Sequence, residues 1–257
     1  MKFRGNLKII ISILLLVTSC EISLGMENDA RPEDKILLVG SDSTKNSFHG
    51  RYAELVYTEV FRRMGYSLVY VGYPAKRSSY MSDSGKAAGE IHRVFSYGEK
   101  HPNLIRVDEP HNSIIFSAFG MDPDIKFYKW ESLKGTDFRI GYRRGVKKCE
   151  SKLPLLVPRK QLMSANTVKQ GLNQLLYNRT KIFVGIKRNI EEVIKADHKY
   201  FNIHQVGLFE ETTVHLFFHK KWKSLVPKVA STLRQLNKEG FFERYEAIAE
   251  EKKTVPK

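Results

Sequence analysis

Between residues 36 and 73 the chain reads as strand, helix, strand, and this unit limits the folds open to it. Ile36-Leu37-Leu38-Val39 is a short apolar run closed by Gly40, the pattern of a buried strand. Over 49–64, Tyr52, Val56, Val60 and Met64 recur at every fourth position with Leu55 beside them. That spacing predicts an amphipathic helix with one face on a sheet. Gly65 follows it, where a left-handed cap can end a helix. Ser67 to Tyr73, rich in Val and Tyr, is the second strand. Two strands joined through a helix run parallel with a right-handed crossover. The fold class is therefore α/β.

The alternation continues. Strands are expected at 89–95, 104–107, 113–118, 138–142, 161–163 and 182–186, with last strands at 201–206 and 214–218. Helices are expected from Asn166 or Thr167 to Tyr177 and onward from an Asn189 cap, with a single helical turn at 129–133. Residues 41–47 read as a loop, 74–84 as a short helix or loop, and Arg143-Arg144-Gly145 as the opening of another loop. Leu225, Val229, Leu233 and Leu236 mark a first closing helix; Phe242, Tyr245 and Ile248, after Gly240, mark a second.

The N-terminus has the layout of an export signal. Lys2, Arg4 and Lys8 precede the apolar run Ile9 to Val17, and Thr18, Ser19 and Cys20 are small. The run is shorter than the roughly 20 residues of a spanning helix. Two processing sites compete within 1–25: Val17-Thr18-Ser19-Cys20 resembles a lipobox, with Cys20 the lipidated residue, and Ser23-Leu24-Gly25 suits soluble export. Cys149 is then a lone thiol, and without a Cys-x-x-Cys pair neither a zinc nor a redox site is indicated. The formal charge of +15 is scattered and accompanies no nucleic-acid motif, so no nucleic-acid partner is expected. There is no Gly-x-Ser-x-Gly, no His-Glu-x-x-His and no phosphate-binding glycine loop, and the eight histidines show no metal spacing. Neither cofactor nor metal is expected, and each histidine reads as a surface or packed residue.

Several stretches resemble the type II periplasmic solute-binding proteins, family 3, the group of ABC transporter substrate-binding proteins that includes amino-acid binders. Gly85-Lys86-Ala87-Ala88-Gly89-Glu90-Ile91 is similar to that family's small-residue turn before a central strand. Trp130-Glu131-Ser132-Leu133-Lys134-Gly135 followed by Phe138 to Gly145 is similar to its entry into the second lobe, and Leu233 to Tyr245 to its C-terminal helix-Gly-helix. The resemblance implies two α/β lobes joined by two crossing hinge strands, with lobe 1 at 33–117 plus 212–251 and lobe 2 at 118–211. It implies a monomer that closes on a small-molecule ligand and serves a membrane permease or a receptor.

In open α/β sheets, ligands meet the loops beyond the carboxyl ends of strands. That rule selects Ser41, Asp42, Tyr73, Arg77, Arg93, Tyr97, Tyr142, Arg143 and Arg144, with Lys187 after a later strand. Arginines at strand ends favour an anionic ligand, because the guanidinium fork matches a carboxylate or phosphate. The sequence departs from the amino-acid binders twice. Ser96-Tyr97-Gly98-Glu99-Lys100-His101 lacks their Thr-x-x-Arg arginine, and Gly185-Ile186-Lys187-Arg188 lacks their late acid. Two alternatives stay open: a sensor or adaptor presenting its ligand to a receptor, and an enzyme resembling cyclohexadienyl dehydratase with Glu90 as its acid. Glu90 beside Arg93 also reads as a structural ion pair.

Overall fold

The computed structural model describes residues 35–251. The expected export segment, Cys20 included, lies outside the described residues. The chain begins with β1 (Lys35–Ser41), α1 (Asp42–Lys45), α2 (Phe48–Arg63), β2 (Ser67–Tyr73), α3 (Ala75–Asp83), β3 (Gly89–Val94) and β4 (Leu104–Arg106). It continues through β5 (Asn112–Gly120), β6 (Ile140–Arg143), α4 (Lys147–Leu156), β7 (Leu162–Ala165), α5 (Val168–Leu176), β8 (Ile182–Ile186) and α6 (Lys187–Ala196). It returns through β9 (His204–His219) to α7 (Val226–Lys238) and α8 (Phe241–Glu251).

The strands form one sheet in the order β2-β1-β3-β9-β5-β8-β6-β7, with β4 also on β9. At one end β1 pairs in parallel with β2 and β3; at the other, β6 pairs in parallel with β7 and β8. Between them β5 and β9 run antiparallel from Asn112↔Val214 to Gly120↔His204, with two register shifts. These two long strands carry the chain from one half to the other and back.

Each half has its own core. In the first, Val56 and Val60 of the predicted helix face, with Phe61, bring α2 against Leu216, Phe218, Val229 and Leu233, all fully buried. In the second, strand alternation divides β8 between two layers. Ile182 and Val184 join Trp130, Leu133, Ile140 and Leu153, while Phe183 faces Leu172, Ile190 and Tyr200. Gly50 brings α1 down onto α2: a Cβ there would lie 2.2 Å from the Thr44 carbonyl oxygen. This contact fixes the turn after β1.

Four local readings change. Residues 42–45 are a helical turn rather than loop, because the Ser41 hydroxyl caps it through the Thr44 amide at 3.2 Å. Helix α4 follows Gly145 where only a loop was expected; Pro154 in its second half masks the pattern, although Cys149 and Leu153 share its buried face. Asn189 does not cap α6, which begins two residues earlier at Lys187 with Ile186 at the cap. The two expected last strands are one continuous β9, and residues 198–200 before it form a short 3-10 turn.

Candidate functional site

The carboxyl ends of β1, β2, β3 and β6 converge on a cleft between the halves, which encloses about 330 Å³. Ser41, Asp42, Tyr73, Arg93 and Tyr97 line it from the first half; Arg143, Arg144 and Lys148 line it from the second. Three of the expected residues lie elsewhere, among them Lys187, which opens α6 and pairs with Glu191 at 3.7 Å. Arg77 is exposed and stacks over the Tyr73 ring at 4.9 Å. Tyr142 alternates with Arg143 on β6 and packs against the second core.

Both walls are rigidly built. Ser41 Oγ lies 2.7 Å from the Thr44 hydroxyl, and Ser47 Oγ donates to the Thr44 carbonyl at 2.7 Å. Opposite, the turn after β6 takes a positive φ at Gly145, and Glu150 on α4 accepts the Gly145 amide at 2.7 Å. The Arg144 amide donates to the Ala165 carbonyl at 2.8 Å. A glycine is suited to the left-handed turn because it carries no Cβ.

The cations of the cleft are not equivalent. Arg93 is ion-paired with Glu90, which is 0% exposed. Ser78 Oγ and Tyr97 Oη also donate to the Glu90 carboxylate, at 2.6 and 2.7 Å, and Ser82 at 3.2 Å. Burial pushes Glu90 upward, but the Arg93 charge and these donors outweigh it and hold the carboxyl below its usual range. Glu90 thus holds Arg93 and Tyr97 in place and does not itself line the cavity. Lys148 pairs with Glu210 at 2.6 Å, and Lys147 with Glu150 at 2.9 Å. The Arg143 side chain has no acid partner among the described residues, and burial lowers its pKa from the usual arginine value. A half-buried guanidinium without a counter-ion keeps its donors available to an anion.

A second, larger crevice of about 670 Å³ lies on the other side of His49, between α6, α8 and β5. Its arginine, Arg188, already carries acids, as does Arg51 nearby. Arg188 stacks over Phe48 and pairs with Glu246 at 2.6 Å and with Glu250, and Arg51 faces Glu192 at 3.7 Å. These pairs join the two halves and occupy the crevice's arginine, whereas Arg143 of the smaller cleft carries no acid, so the smaller cleft is the better candidate site.

The cleft residues that the sequence reading did not select include His49, His92 and Asn189. The histidines read as packing residues, and Asn189 as a helix cap. His49 is buried with neither ring nitrogen bonded, and Asn189 Oδ1 is likewise buried without a partner. Only the fold brings α2, β3 and α6 to one cleft, and no local spacing signals it. Cys149 is fully buried, and burial raises its thiol to about 12, so it is unreactive. Among the described residues no group of three His, Cys, Asp or Glu side chains could hold a metal ion, and no helix is long and apolar enough to cross a membrane.

An uncharacterized protein of Shewanella oneidensis is 33% identical over 210 residues, spanning 81% of this chain and 79% of that protein. The chain belongs to that protein's family. No described family model matches the sequence. Among solved structures, a histidine kinase sensor domain with similarity to periplasmic binding proteins superposes with a TM-score of 0.67 at 18% identity, over 83% of this chain and 94% of that one. An ancestral arginine-binding protein bound to glutamine gives 0.64 at 14% identity, over 82% and 96%. A substrate-binding protein of an ABC uptake transporter from Streptococcus pneumoniae, with bound histidine, gives 0.64 at 14%, over 83% and 91%. The family member described here therefore has the two-lobed periplasmic-binding-protein fold, with β5 and β9 as its crossing strands. These structural neighbours are binding proteins and a sensor domain, not enzymes.

Proposed function

We propose that the chain is an exported solute-binding protein that captures a small anionic molecule between its lobes. The observation that carries this reading is Arg143: a half-buried guanidinium on the wall of a cleft, without an acid partner among the described residues. Asp42, exposed on the opposite wall, supplies an acceptor for a hydroxyl or amino group of the same solute. We take the lobes as 33–117 plus 212–251 and 118–211, the location as periplasmic, soluble or anchored at Cys20, and the protein as a monomer. The partner is a membrane permease in the transport reading. The likeness to a kinase sensor domain supports a second reading, in which the closed form is presented to a receptor. Catalysis is the weakest reading, because Glu90 is saturated by Arg93, Ser78, Ser82 and Tyr97.

A thermal-unfolding screen against carboxylates, phosphorylated metabolites, amino acids and sugars tests this. A ligand at a hundred times its Kd adds about 2.7 kcal/mol of stability. The expected result is a shift from small anions that weakens by about 10- to 100-fold in affinity in Arg143→Ala, the scale of a lost charge-assisted bond. Shifts from sugars alone, or a shift unchanged in Arg143→Ala, would overturn the proposal.

A further inference from the structure

A line of hydrogen bonds leads from the core of the first lobe to the cleft. Tyr57, fully buried on α2, lies with its hydroxyl 3.0 Å from Nδ1 of His111, just before β5. His111 Nε2 is 2.9 Å from Nδ1 of His92 on β3, and the His92 ring lines the cleft. Tyr52 donates to the His111 carbonyl at 3.0 Å and holds that residue in place.

The chemistry of the line fixes its direction. Burial keeps the Tyr57 phenol protonated, so its hydroxyl has a proton to donate. Among the described residues the only acceptor bonded to that O–H is His111 Nδ1. A neutral imidazole has one donor and one acceptor nitrogen. His111, accepting at Nδ1, must carry its proton on Nε2 and donate it to His92 Nδ1. His92 must then carry its own proton on Nε2. No bond to that nitrogen is present among the described residues. Burial, followed by the neighbouring histidines, keeps the rings neutral: His111 falls to about 3, and His92 well below its ordinary value. His49 stands beside His92 with ring centroids 5.3 Å apart, its nitrogens unbonded, so it takes nothing from the line.

We propose that His92 presents a neutral Nε2–H to the cleft, held in that tautomer by Tyr57 through His111, and that this donor selects a solute bearing an oxygen acceptor, an oxo- or hydroxy-acid, over one bearing an ammonium at that place. The inference rests on the reading of the cleft as an anion site: Arg143 takes the acid group and His92 reads its neighbour. An N–H cannot accept a hydrogen bond from an ammonium and leaves it unpaired, which is how a polar site rejects the wrong analogue.

The tautomer is tested without any solute, by ring-nitrogen NMR of the protein with labelled histidine. His111 and His92 should both be in the Nε2–H form, and Tyr57→Phe should let the two rings lose that fixed direction. A Nδ1–H form of His92 in the wild type would overturn the inference. The selectivity is tested by titrating glutarate, 2-oxoglutarate and L-glutamate, which differ at one carbon only. The oxo-acid should bind about tenfold more tightly than glutarate, the gain of one hydrogen bond, with glutamate weaker still. His92→Phe should bring oxo-acid and glutarate together. If all three bind alike and Arg143→Ala weakens them all, the anion cleft stands and the His92 inference falls. Binding of none of the three also overturns it, while the broader anion screen decides the cleft itself.

Discussion

Glu90→Ala is expected to destabilise the protein by about 3–5 kcal/mol, the cost of leaving a buried charge without its partner. Glu90 is fully buried, and the Arg93 side chain is only 17% exposed. Without the carboxylate, the guanidinium keeps its charge in a site that water reaches poorly, Ser78 loses its acceptor, and Ser82 and Tyr97 keep only those on Ser79. The Arg93 Nε is already buried without a hydrogen-bond partner, and the remaining acceptor for the guanidinium is the neutral Ser79 hydroxyl at 3.4 Å. Breaking one side of the pair is therefore worse than removing both. Glu90→Gln/Arg93→Gln should recover part of what Glu90→Ala loses, because no uncompensated charge is left. Urea-unfolding midpoints measure each variant. A loss below about 1 kcal/mol for Glu90→Ala would place the pair in the class of exposed ion pairs and contradict its role as the frame for Arg93 and Tyr97.

The second large effect is acid sensitivity above the carboxylate range. Burial first, then the charges of Arg188 and Arg51, lower His49 from 6.5 to about 4. Burial, then His215 and His49, lower His111 to about 3. His92 is lowered as well, by burial, His111, His49 and Arg93 in that order. The unfolded chain protonates these rings near their ordinary pKa while the folded protein does not. Acidification therefore favours unfolding: the stabilisation is present above about pH 6.5 and is lost as pH falls toward the folded values. Between pH 7 and pH 5 each such histidine should remove about 2 kcal/mol of stability. His49→Phe tests this cleanly, because neither ring nitrogen has a bond to lose and the ring sits between Phe48 and His92. The variant should match the wild type at pH 7 or exceed it, and its loss on going to pH 5 should be smaller by about 2 kcal/mol. An unchanged pH slope would show that His49 is protonated in the folded state, contrary to its burial.

The parts of the fold that were readable in the sequence are those where one element buries one face. The four-residue spacing of Tyr52, Val56 and Val60 and the apolar run of β1 each follow from a single local burial pattern. The centre of β9 was not readable. Leu208 to Thr213 passes between two cores, with register shifts against β5, so its alternation breaks where the strand is continuous. Helix α4 was hidden by Pro154 and its lysines. At the site, the strand-end rule leads to Ser41, Asp42, Tyr73, Arg93, Tyr97, Arg143 and Arg144, all of which the structure brings to one cleft. It also leads to Arg77, Tyr142 and Lys187, which lie outside the cleft, because the rule gives a position along the chain and not a side-chain direction. The Glu90–Arg93 pair is legible as near neighbours in the sequence, but the pairing of Lys148 with Glu210 joins residues 62 positions apart. The Tyr57–His111–His92 line joins α2, β3 and the approach to β5, and no sequence spacing links them.

The most direct test of the central claim is amide hydrogen exchange with and without the anion that gives the largest thermal shift. Binding between the lobes should slow exchange on both walls at once, in residues 41–47 and in residues 143–148, with little change on the outer helices α5 and α7. Protection confined to one wall, or to the crevice around Arg188 and Glu246, would contradict a solute held in this cleft.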